Sequence, residues 1–411
     1  MGTTRAEAPT RLLDLTRLVS RAGRAFTGID RVEYAYLVHL LDAGPLWGLV
    51  RSSMGYLLLD PEGCAALKRQ FTAGDWPAPD LLSRLRRLPP GRAEAETAVR
   101  RLAVARCLPR GLTRMLERHL PAWTHYLNTG HTNLTERVVR AVRARPASRI
   151  AVLLHDTIPL DYPDYTREGV TARFSAFLDR VGRHADLVIC NSHQTEADFR
   201  RHMAGCDRWG EAAPQGDAPR TVVAHLGVEP SPPGDAPRGP WTGRAFFVVL
   251  GTIEPRKNHA LLLDIWERDA PDAELLVCGA RGWRNAEVFA RLDRGIARVH
   301  ELPGLDDGQV AALLRDSAGL LFPSLAEGYG LPPMEAAALG VPVLSADLPV
   351  LREVLGDIPV YAQVTDGYLW RRHITRMAEE RRADPGRERS GAEGWCPPGW
   401  GMHFKTVLTL I

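Results

Sequence analysis

The sequence predicts an α/β protein built from two doubly wound parallel sheets, and two observations carry that prediction. Short apolar runs rich in Val, Leu and Ile, each followed by a helical pattern, recur through both halves of the 411-residue chain. Because these runs are apolar at successive positions rather than at alternate ones, they are typical of strands covered by helices on both faces. A chain of this length also exceeds what one hydrophobic core usually serves, which favours two domains.

The predicted strands fall into two sets of four. They are Leu12–Leu15, Ala151–His155, Leu187–Asn191 and Thr221–Leu226, and then Phe246–Gly251, Glu274–Gly279, Gly319–Phe322 and Val341–Ser345. The segment between the sets, EPSPPGDAPRGPW at Glu229–Trp241, is rich in Pro and Gly, which favour an extended connection. We therefore expect one Rossmann-like domain over residues 1–228, a linker over 229–242 and a second Rossmann-like domain over 243–394. Residues 395–411 end in an amphipathic helix.

The segment from Pro79 to Arg145 interrupts the strand–helix alternation and is predicted to be mostly helical. LLSRLRRL at Leu81–Leu88 and RRLAVARCLPRGLTRMLERHL at Arg100–Leu120 place apolar residues at helical spacing with arginines between them. One interpretation is a basic amphipathic surface that faces anionic lipid. The other, which is commoner for surface helices, is a set of core-facing helices whose arginines are solvated.

Composition excludes several classes of protein. With 45% hydrophobic and 25% charged residues the chain is globular, and its net charge of +3 does not indicate a nucleic-acid partner. The six cysteines form no CxxC pair, so neither a structural zinc site nor an oxidising compartment is expected. No apolar run approaches the ~18 residues of a membrane span, and the N-terminus lacks a signal-peptide core. We expect a cytoplasmic protein, with peripheral contact at the inner face of the cell membrane as its only membrane interaction.

The stretch PSLAEGYGLPPMEAAALGVPV, residues 323–343, sets two carboxylates around a glycine-rich loop. A helix start preceded by glycines suits phosphate, because unpaired N–H groups and the helix dipole point at the ligand. Carboxylates repel phosphate, so Glu327 and Glu335 are better explained as acceptors for hydroxyl groups. A ligand that offers both chemistries is a nucleotide-sugar. The alternative is that Glu327 is an exposed loop residue and Glu335 an ordinary first-turn acid.

The segment EGYGLPPME, preceded by PS and followed by AxxxGxPV, resembles the E-x7-E motif of the retaining GT-B glycosyltransferases of family 4. The resemblance covers nearly the whole chain and is most specific in its C-terminal half. It implies a GT-B fold whose terminal helix crosses back onto the N-terminal domain, and a nucleotide-diphosphate sugar as donor with no cofactor and no metal. It also implies that Glu335 holds the ribose hydroxyls and that Glu327 lies by the donor sugar. Between them, the implied donor-site residues are Gly328, Tyr329, Gly330 and Leu331.

The loop GTIEPRKN is similar to the diphosphate clamp of this family. Adjacent Arg256 and Lys257 offer two cations at one edge of the crevice, which suits two phosphates. Many relatives carry an arginine directly after the first glycine, whereas this chain has Thr252 there. Arg281, in GARGW, faces the same edge and is interpreted either as a phosphate contact or as a surface arginine. Leu302, in HELPGL, matches the base pocket of the family, where backbone groups bind the base.

In the N-terminal half, LLHDTIPLDYP places His155 and Asp156 just beyond a predicted strand. A lone histidine there is more often structural, but the resemblance implies a place near the donor sugar and the reaction centre. Asp156 is a candidate to orient or deprotonate the acceptor hydroxyl. FTGIDRVE resembles the first βα-loop of GT-B enzymes, with Gly28 at the cleft and Thr27 or Asp30 as helix cap.

The resemblance implies retaining transfer of a hexose-type sugar, with mannose or a related sugar favoured, to a glycan or lipid-linked glycan acceptor. TGIDRVE and GDIPVY resemble enzymes of bacterial capsule, O-antigen or exopolysaccharide assembly. Rival interpretations are a pyridoxal-dependent phosphorylase, a nucleotide-sugar epimerase and a non-catalytic protein that binds a nucleotide-sugar or a glycan on the same fold. A dinucleotide oxidoreductase is disfavoured because no GxGxxG follows a strand.

Overall fold

The computed structural model describes residues 10–204, 219–384 and 395–411, so the predicted domain ends at residues 1 and 394 lie outside the described residues. The strands are β1 (Arg11–Asp14), β2 (Leu46–Arg51), β3 (Tyr56–Leu59), β4 (Ala105–Cys107), β5 (His125–Asn128), β6 (Arg149–Leu154), β7 (Leu187–Cys190), β8 (Arg220–Val223), β9 (Phe246–Leu250), β10 (Glu274–Cys278), β11 (Val299–Leu302), β12 (Gly319–Phe322), β13 (Val343–Ala346) and β14 (Val360–Ala362). All eight predicted strands are present, with ends shifted by a few residues.

Helices connect and cover these strands. They are α1 (Thr16–Ser20), α2 (Gly28–Asp42), α3 (Pro61–Ala73), α4 (Leu81–Leu85), α5 (Pro90–Leu102), α6 (Leu112–His119), α7 (Glu136–Arg143), α8 (Ile158–Asp161), α9 (Val170–His184), α10 (His193–Ala204), α11 (His259–Asp269), α12 (Ala286–Arg294), α13 (Asp307–Asp316), α14 (Leu331–Ala338), α15 (Pro349–Leu355), α16 (Gly367–Ala383) and α17 (Trp400–Leu408). The predicted helix Pro333–Leu339 corresponds to α14, and Thr27 is the N-cap of α2, as expected.

The N-terminal sheet has the order β4-β3-β2-β1-β5-β6-β7-β8. Strands β2, β3 and β4 pair antiparallel, and every other neighbouring pair is parallel. The prediction that residues 79–145 are mostly helical is therefore wrong for two segments, because β4 and β5 lie inside it. The short edge strand β4 pairs with β3 from about 50 residues earlier, and helical spacing within the segment carries no signal of that long-range pairing.

The C-terminal sheet is entirely parallel, with the order β11-β10-β9-β12-β13-β14. In chain order this is the 3-2-1-4-5-6 arrangement of a Rossmann fold, and the direction of winding reverses between β9 and β12. Ligands of such sheets bind at the carboxyl ends of the strands at this reversal. The loops after β9 and β12 carry the two predicted donor-binding motifs, so the topology brings the motifs together.

The terminal helix α17 packs on the N-terminal domain. The ring of Phe404 lies 4.9 Å from the ring of Tyr36, and the Tyr36 hydroxyl is 2.8 Å from Nε2 of His403. Gly227 leaves room for Trp400, because a Cβ at position 227 would lie 2.3 Å from the indole. The predicted return of the last helix to the N-terminal domain is confirmed, and the chain between Glu229 and Trp241 forms neither helix nor strand, as predicted.

The two domains share one apolar cluster. Tyr329 and Leu351 of the C-terminal half belong to the same buried cluster as Leu13 of β1 and Phe404 of α17. The Tyr329 hydroxyl donates to the carbonyl oxygen of Leu226 at 3.0 Å. The crevice between the domains is thus closed in this structure, and its two walls are close enough for direct contacts.

Candidate active site

Two loops of the C-terminal sheet join around the carboxylate of Glu327. Lys257, in the turn after β9, places its Nζ 2.6 Å from Glu327 Oε1. Arg256 places Nη1 2.9 Å from Glu327 Oε2. Since each oxygen faces its own cation, the first glutamate of the E-x7-E motif and the predicted diphosphate clamp form one ion cluster.

The backbone around Lys257 explains its position. Gly251, at the end of β9, has φ +132°, and a Cβ there would lie 3.2 Å from Cε of Lys257. The ammonium also lies 4.5 Å from the ring centre of Phe322, the last residue of β12. Asn258 then takes a left-handed conformation, φ 51°, and begins α11. A glycine and an aromatic ring thus direct the lysine across the sheet edge toward the neighbouring loop.

Arg256 is fixed by more than Glu327. Its Nη2 lies 2.6 Å from Oε1 of the buried Glu254, and its Nη1 donates to the carbonyl oxygen of Ala326 at 2.7 Å. Two carboxylates and two cations therefore balance one another. Because both carboxylates are almost fully buried, the cluster is held in a fixed geometry rather than solvated.

The electrostatics of the cluster favour an ionised glutamate. Burial raises the pKa of Glu327, but Arg256 and Lys257 outweigh burial and bring it to about 2. Burial lowers the pKa of Lys257, while Glu327 opposes that change. Glu327 is therefore a carboxylate at any physiological pH, able to accept hydrogen bonds from hydroxyl groups.

The start of α14 offers free backbone donors beside this cluster. Gly330 has φ +99°, and a Cβ there would lie 2.4 Å from Leu351, so only glycine fits. Pro332 and Pro333 have no N–H group. Among the described residues, the backbone amides of 328–331 donate to no protein group. These amides and the helix dipole make the loop a suitable seat for an anionic ligand.

Glu335, the second glutamate, projects from the first turns of α14. Its Oε1 accepts a hydrogen bond from Nη1 of Arg31, which belongs to α2 of the N-terminal domain. Nη2 of Arg31 lies 2.5 Å from Oδ1 of Asp307 at the start of α13. Burial raises the pKa of Glu335, and Arg31 opposes this. The predicted ribose-binding carboxylate therefore already has a partner from across the crevice.

Asp156 faces Glu327 across the crevice. A Cβ on Gly328 would lie 2.6 Å from the carbonyl oxygen of His155 and 2.8 Å from Cβ of Asp156, so Gly328 permits this close approach. Oδ1 of Asp156 accepts from the backbone N–H of Ile158 at 3.1 Å. Burial raises the pKa of Asp156 to about 6, with Arg256 opposing and Glu327 reinforcing the rise. A carboxyl group with this pKa can take up a proton near neutral pH.

A cavity of about 360 Å³ opens between the domains next to Asp156 and Glu327. Its lining includes the loop from Leu325 to Gly328 on one wall, and Tyr162 and Arg201 on the other. A larger cavity of about 900 Å³ lies by the linker, near Trp241. It sits at the amino-terminal edge of the C-terminal sheet, where open parallel sheets do not bind their ligands, so the smaller cavity is the candidate ligand site.

His155 lies deeper than the sequence suggests. Its side chain is buried, its Nε2 lies 2.7 Å from the carbonyl oxygen of Thr129, and its ring packs 4.8 Å from that of His131. Burial lowers the pKa of His155 to about 4, so the ring is neutral at physiological pH. The imidazole supports the wall of the crevice, and the backbone carbonyl of His155 lies nearest the glutamate loop. A direct catalytic role for its side chain stays a prediction.

The other predicted residues are placed unevenly around the site. Gly28 and Leu331 meet across the crevice, where a Cβ on Gly28 would lie 3.3 Å from Leu331. Thr252 lies between β9 and the cation pair, and Leu302 ends β11 on the same sheet edge. Tyr329 is buried and directed at the N-terminal domain rather than at the crevice.

Arg281 is the predicted residue that the structure places least favourably. Its side chain is 38% exposed and pairs with Glu301 and Asp293 at 2.7 and 2.6 Å. Of its two interpretations, a surface arginine is the one that matches this arrangement.

Three residues of the site escape sequence reasoning. Arg31 and Glu254 stand in the quoted loops FTGIDRVE and GTIEPRKN, but their partners are distant in sequence or require the folded turn. Glu353 of α15 accepts from the backbone N–H of His193, at the start of α10, at 2.7 Å, and pairs with His225 at 2.8 Å. Glu353 thus caps a helix of the opposite domain, and only the assembled crevice reveals this contact.

Among the described residues, no group of three or more His, Cys, Asp or Glu side chains is arranged to hold a metal ion. Within the same residues, no helix is both long and apolar enough to cross a bilayer.

Known proteins resemble this chain in sequence and in fold. Residues 236–369 match the family described as Glycosyl transferases group 1. The serotype-specific mannosyltransferase WbdA of Escherichia coli is 31% identical in an alignment of 219 residues that covers 49% of this chain and 26% of that protein. The O-antigen chain mannosyltransferase B of Escherichia coli is 31% identical over 160 residues, 38% of this chain and 41% of that protein. The chain thus spans less than half the length of these curated relatives.

Solved structures share the fold over nearly the whole chain. Anabaena Alr3699/HepE, solved in complex with UDP and glucose, matches with a TM-score of 0.61 and 15% identity over 98% of this chain and 99% of that chain. WaaG, a glycosyltransferase involved in lipopolysaccharide biosynthesis, matches with a TM-score of 0.55 and 14% identity over 98% of this chain and 100% of that chain. The two Rossmann-like domains and the returning helix are those of the GT-B fold, and the match to the group 1 glycosyltransferases lies in residues 236–369 of the C-terminal half.

Proposed function

We propose that this chain is a retaining glycosyltransferase that moves a hexose from a nucleotide-diphosphate sugar to a glycan or lipid-linked glycan. Mannose or a closely related sugar is the favoured hexose. The acceptor belongs to a bacterial surface polysaccharide, and the reaction takes place in the cytoplasm. One observation carries the proposal: Glu327 is ion-paired to Lys257 and Arg256 at the reversal point of the C-terminal sheet, beside the free amides that precede α14.

The arrangement suits the departure of a nucleotide diphosphate. Negative charge grows on the leaving phosphate as the glycosidic bond breaks, so cations and oriented amides stabilise the transition state directly. Lys257 and Arg256 supply the cations, and residues 328–331 supply the amides. Glu335, on the same helix, is set to accept from the ribose hydroxyls. The donor sugar then lies between Glu327 and the N-terminal wall.

The acceptor side of the crevice supports proton transfer near neutral pH. Asp156 lies against the loop that carries Glu327 and borders the cavity between the domains. We assign the acceptor hydroxyl to this cavity and Asp156 to its orientation. In a retaining transfer on one face of the sugar, the departing phosphate takes part in removing the proton of that hydroxyl.

The names of the relatives support the choice of substrates. WbdA and the O-antigen chain mannosyltransferase B are mannosyltransferases, and the second acts on an O-antigen chain by its name. A D-rhamnosyltransferase, WbpZ of Pseudomonas aeruginosa, is 32% identical over 109 residues, 26% of this chain and 28% of that protein. These relatives favour a surface polysaccharide and a mannose-like donor, which we carry to this chain as part of the proposal.

A second partner is suggested by an exposed surface of the N-terminal domain. Leu81 and Leu85, one turn apart on α4, are 82% and 76% exposed, and Leu108 is 67% exposed. Met54 is also exposed, and its Sδ accepts a hydrogen bond from Nη2 of Arg86. A Cβ on the adjacent Gly55 would lie 3.1 Å from Cα of Leu108, so these residues form one surface. The exposed arginines around it are Arg84, Arg86, Arg87, Arg106 and Arg110.

We call this set of five arginines with Met54, Leu81, Leu85 and Leu108 the arginine-leucine surface. Neither LLSRLRRL nor RRLAVARCLPR contains an acidic residue to neutralise it. Exposed leucines among unpaired cations suit the interface of an anionic bilayer. We therefore propose peripheral contact with anionic membrane, where a lipid-linked acceptor would be located.

The test is a thermal-shift screen against UDP, GDP, dTDP, ADP and CDP. A ligand at about 100 times its dissociation constant stabilises the folded state by roughly 2.7 kcal/mol, a readable rise in Tm. We expect one nucleotide to stabilise the protein, and Glu335→Ala and Lys257→Ala each to remove about half of that stabilisation or more. Transfer from the corresponding nucleotide-sugars, with the anomeric configuration read by NMR, then tests catalysis and retention.

One rival is a protein that binds a nucleotide-sugar without turning it over. It predicts the same thermal shift but no transfer and no slow release of nucleotide from the sugar. Glu327→Gln separates the two, because an enzyme loses turnover while a binding protein has none to lose. If none of the five nucleotides stabilises the protein, the donor-site assignment is wrong.

A further inference from the structure

One inter-domain contact points to a positioning role that the E-x7-E motif alone does not assign. Arg31, on the first turn of α2, binds Glu335 through Nη1 and Asp307 through Nη2. Both partners belong to the C-terminal domain, in α14 and α13. The arginine therefore bridges two helix starts that flank the predicted ribose position, and it does so from the other domain.

The surroundings leave this arginine free for that task. The neighbouring Asp30 is buried and engaged by Arg17 and Arg21 at 2.8 and 2.7 Å, so it does not neutralise Arg31. Gly28, at the start of the same helix, packs against Leu331 at the start of α14. The N-terminal ends of α2 and α14 are thus in contact, and this contact brings Arg31 within reach of Glu335 on the other side of the crevice.

Glu335 keeps one oxygen for a ligand. Its Oε1 is bonded to Arg31, whereas Oε2 accepts from no group among the described residues. The side chain is only 14% exposed, so its orientation is restricted by packing as well as by the ion pair. A carboxylate held in this way can offer Oε2, and a second lone pair of Oε1, to a vicinal diol.

Resting on the nucleotide-sugar function proposed above, we propose that Arg31 is a positioning residue for ribose. It fixes the Glu335 carboxylate in the orientation that accepts from the ribose 2′- and 3′-hydroxyls, and it ties that recognition to the closed arrangement of the domains. Ribose recognition in this chain then depends on a residue about 300 positions away from the glutamate.

Charge adds a second consequence. Burial raises the pKa of Glu335, and the groups that face it are Arg31 from α2, which opposes the rise, and Asp307 from α13, which reinforces it. Removing Arg31 leaves burial and Asp307 unopposed, so the glutamate is protonated at a higher pH. A protonated Glu335 accepts fewer hydrogen bonds from the diol, and nucleotide binding is lost at a higher pH than in the wild type.

The experiment measures binding by calorimetry for the full chain with three probes. They are the nucleoside diphosphate selected by the thermal-shift screen, its 2′,3′-dideoxy analogue and inorganic pyrophosphate. We expect Arg31→Ala to weaken binding of the ribonucleotide roughly tenfold or more, the size of a hydrogen bond to a charged group, and to leave the other two within about twofold. Arg31→Lys should restore part of the loss, and the lower pH limit of binding should rise in Arg31→Ala.

Two controls separate positioning from folding. Arg24→Ala removes an exposed arginine of the same domain and matches the change in net charge. In a Glu335→Gln background, Arg31→Ala should add no further loss, because both changes act on the same hydroxyl contacts. An additive loss in that background would place Arg31 elsewhere in the binding site and overturn the proposal.

The outcomes distinguish this inference from the proposed function. If the wild type binds none of the nucleotides, both are wrong. If it binds one and Arg31→Ala weakens pyrophosphate equally, Arg31 is a phosphate contact and the inference is wrong. If Arg31→Ala binds the ribonucleotide more tightly than the wild type, Arg31 competes with ribose for Glu335. The inference is then wrong, while the proposed function stands.

Discussion

The ammonium of Lys257 lies 2.6 Å from Oε1 of Glu327, although the two residues are 70 positions apart in the chain. They meet because β9 and β12 are neighbours at the point where the sheet reverses its winding. The cation of the proposed clamp is thus balanced by the glutamate that we assign to the sugar. If Lys257 binds the donor phosphate, as we propose, that phosphate meets a cation that Glu327 already holds at this edge of the sheet, which lowers the reorganisation needed on binding.

Replacing Lys257 by methionine should weaken the binding of the nucleoside diphosphate by about 10- to 150-fold. The reason is the loss of a charge-assisted hydrogen bond worth roughly 1.5–3 kcal/mol. Calorimetry at pH 7.5 measures the effect. Lys405→Met is the matched control, since Lys405 is exposed on α17, and the chain has only three lysines. If Lys257→Met bound the nucleotide as tightly as the wild type, the assignment of Lys257 to the diphosphate clamp would be wrong.

The rate of transfer should depend on pH through Asp156. Burial raises the pKa of this carboxyl to about 6, so it is protonated below that pH and ionised above it. If it orients the acceptor hydroxyl as a carboxylate, kcat/KM should rise through pH 6 and level off above pH 7. Asp156→Asn should lose most activity and this rising limb together. Asp164→Asn, an exposed neighbour, should keep both.

Gly328→Ala should impair turnover while leaving nucleotide binding nearly intact. The added Cβ would lie 2.6 Å from the carbonyl oxygen of His155, so the N-terminal wall cannot approach as closely. The diphosphate contacts that we propose, Lys257, Arg256 and the amides of 328–331, lie in the C-terminal domain, and alanine keeps the backbone N–H group of position 328. We expect kcat to fall at least tenfold with little change in nucleotide affinity. Gly401→Ala, which meets open space, is the control, and unchanged turnover in Gly328→Ala would show that this close approach is dispensable.

Glu33→Gln should stabilise the protein at neutral pH. Glu33 is fully buried, and burial, reinforced by Asp14, raises its pKa well above 4.5. A group whose folded pKa is raised binds its proton more tightly in the folded state, so stability falls as pH rises from 4.5 toward the folded pKa. Glutamine does not titrate, so the variant does not lose stability in this way as the pH rises. The variant and the wild type should have similar Tm near pH 4, and the variant should melt higher at pH 7.5.

If Glu33→Gln instead melted lower at pH 7.5, ionised Glu33 would be stabilising. That result would mean that Arg17 and the backbone N–H of Leu18, which lies 3.2 Å from Glu33 Oε1, outweigh burial.

The arginine-leucine surface should bind vesicles that contain phosphatidylglycerol and leave pure phosphatidylcholine vesicles unbound. Attraction of arginines to anionic lipid contributes about 1 kcal/mol each near the surface and is screened by salt. Leu81→Glu combined with Leu85→Glu removes two exposed leucines of this surface and adds two negative charges. We expect at least a tenfold loss in co-sedimentation. Tyr368→Glu, at an exposed aromatic of the C-terminal domain, should have no effect, and indifference of the wild type to lipid charge would contradict the membrane assignment.

Local signals made the loops of the C-terminal candidate site predictable. Gly330, the two prolines at the start of α14 and Gly340 after the end of that helix all lie within one short segment, and together they predict the loop between β12 and α14. The pairing of this loop with Arg256 and Lys257 follows from the order of parallel strands. The same reasoning fails for β5 and β4, because each is a short strand whose identity depends on partners far along the chain.

Side-chain direction was the other limit of sequence reasoning. His155 follows β6 as expected, yet its ring packs inward on His131 and the Thr129 carbonyl. Arg281 follows β10 as expected, yet two surface carboxylates hold it. A strand-end position fixes where a residue lies, whereas its rotamer is set by neighbours from other segments. The contact between Arg31 and Glu335 is of the same kind, since its two residues come from different domains.

The cap that Glu353 places on α10 has a consequence for variation among related sequences. Its carboxylate accepts a hydrogen bond from the backbone N–H of His193, 160 positions away, and pairs with His225, 128 positions away. A relative that lacks an acid at position 353 loses this acceptor for the start of α10, so we expect position 353 to covary with its partners in the N-terminal domain. Hybrids that combine domains of two relatives should therefore function best when the parent of the C-terminal domain carries this acid and the parent of the N-terminal domain carries the histidine at 225.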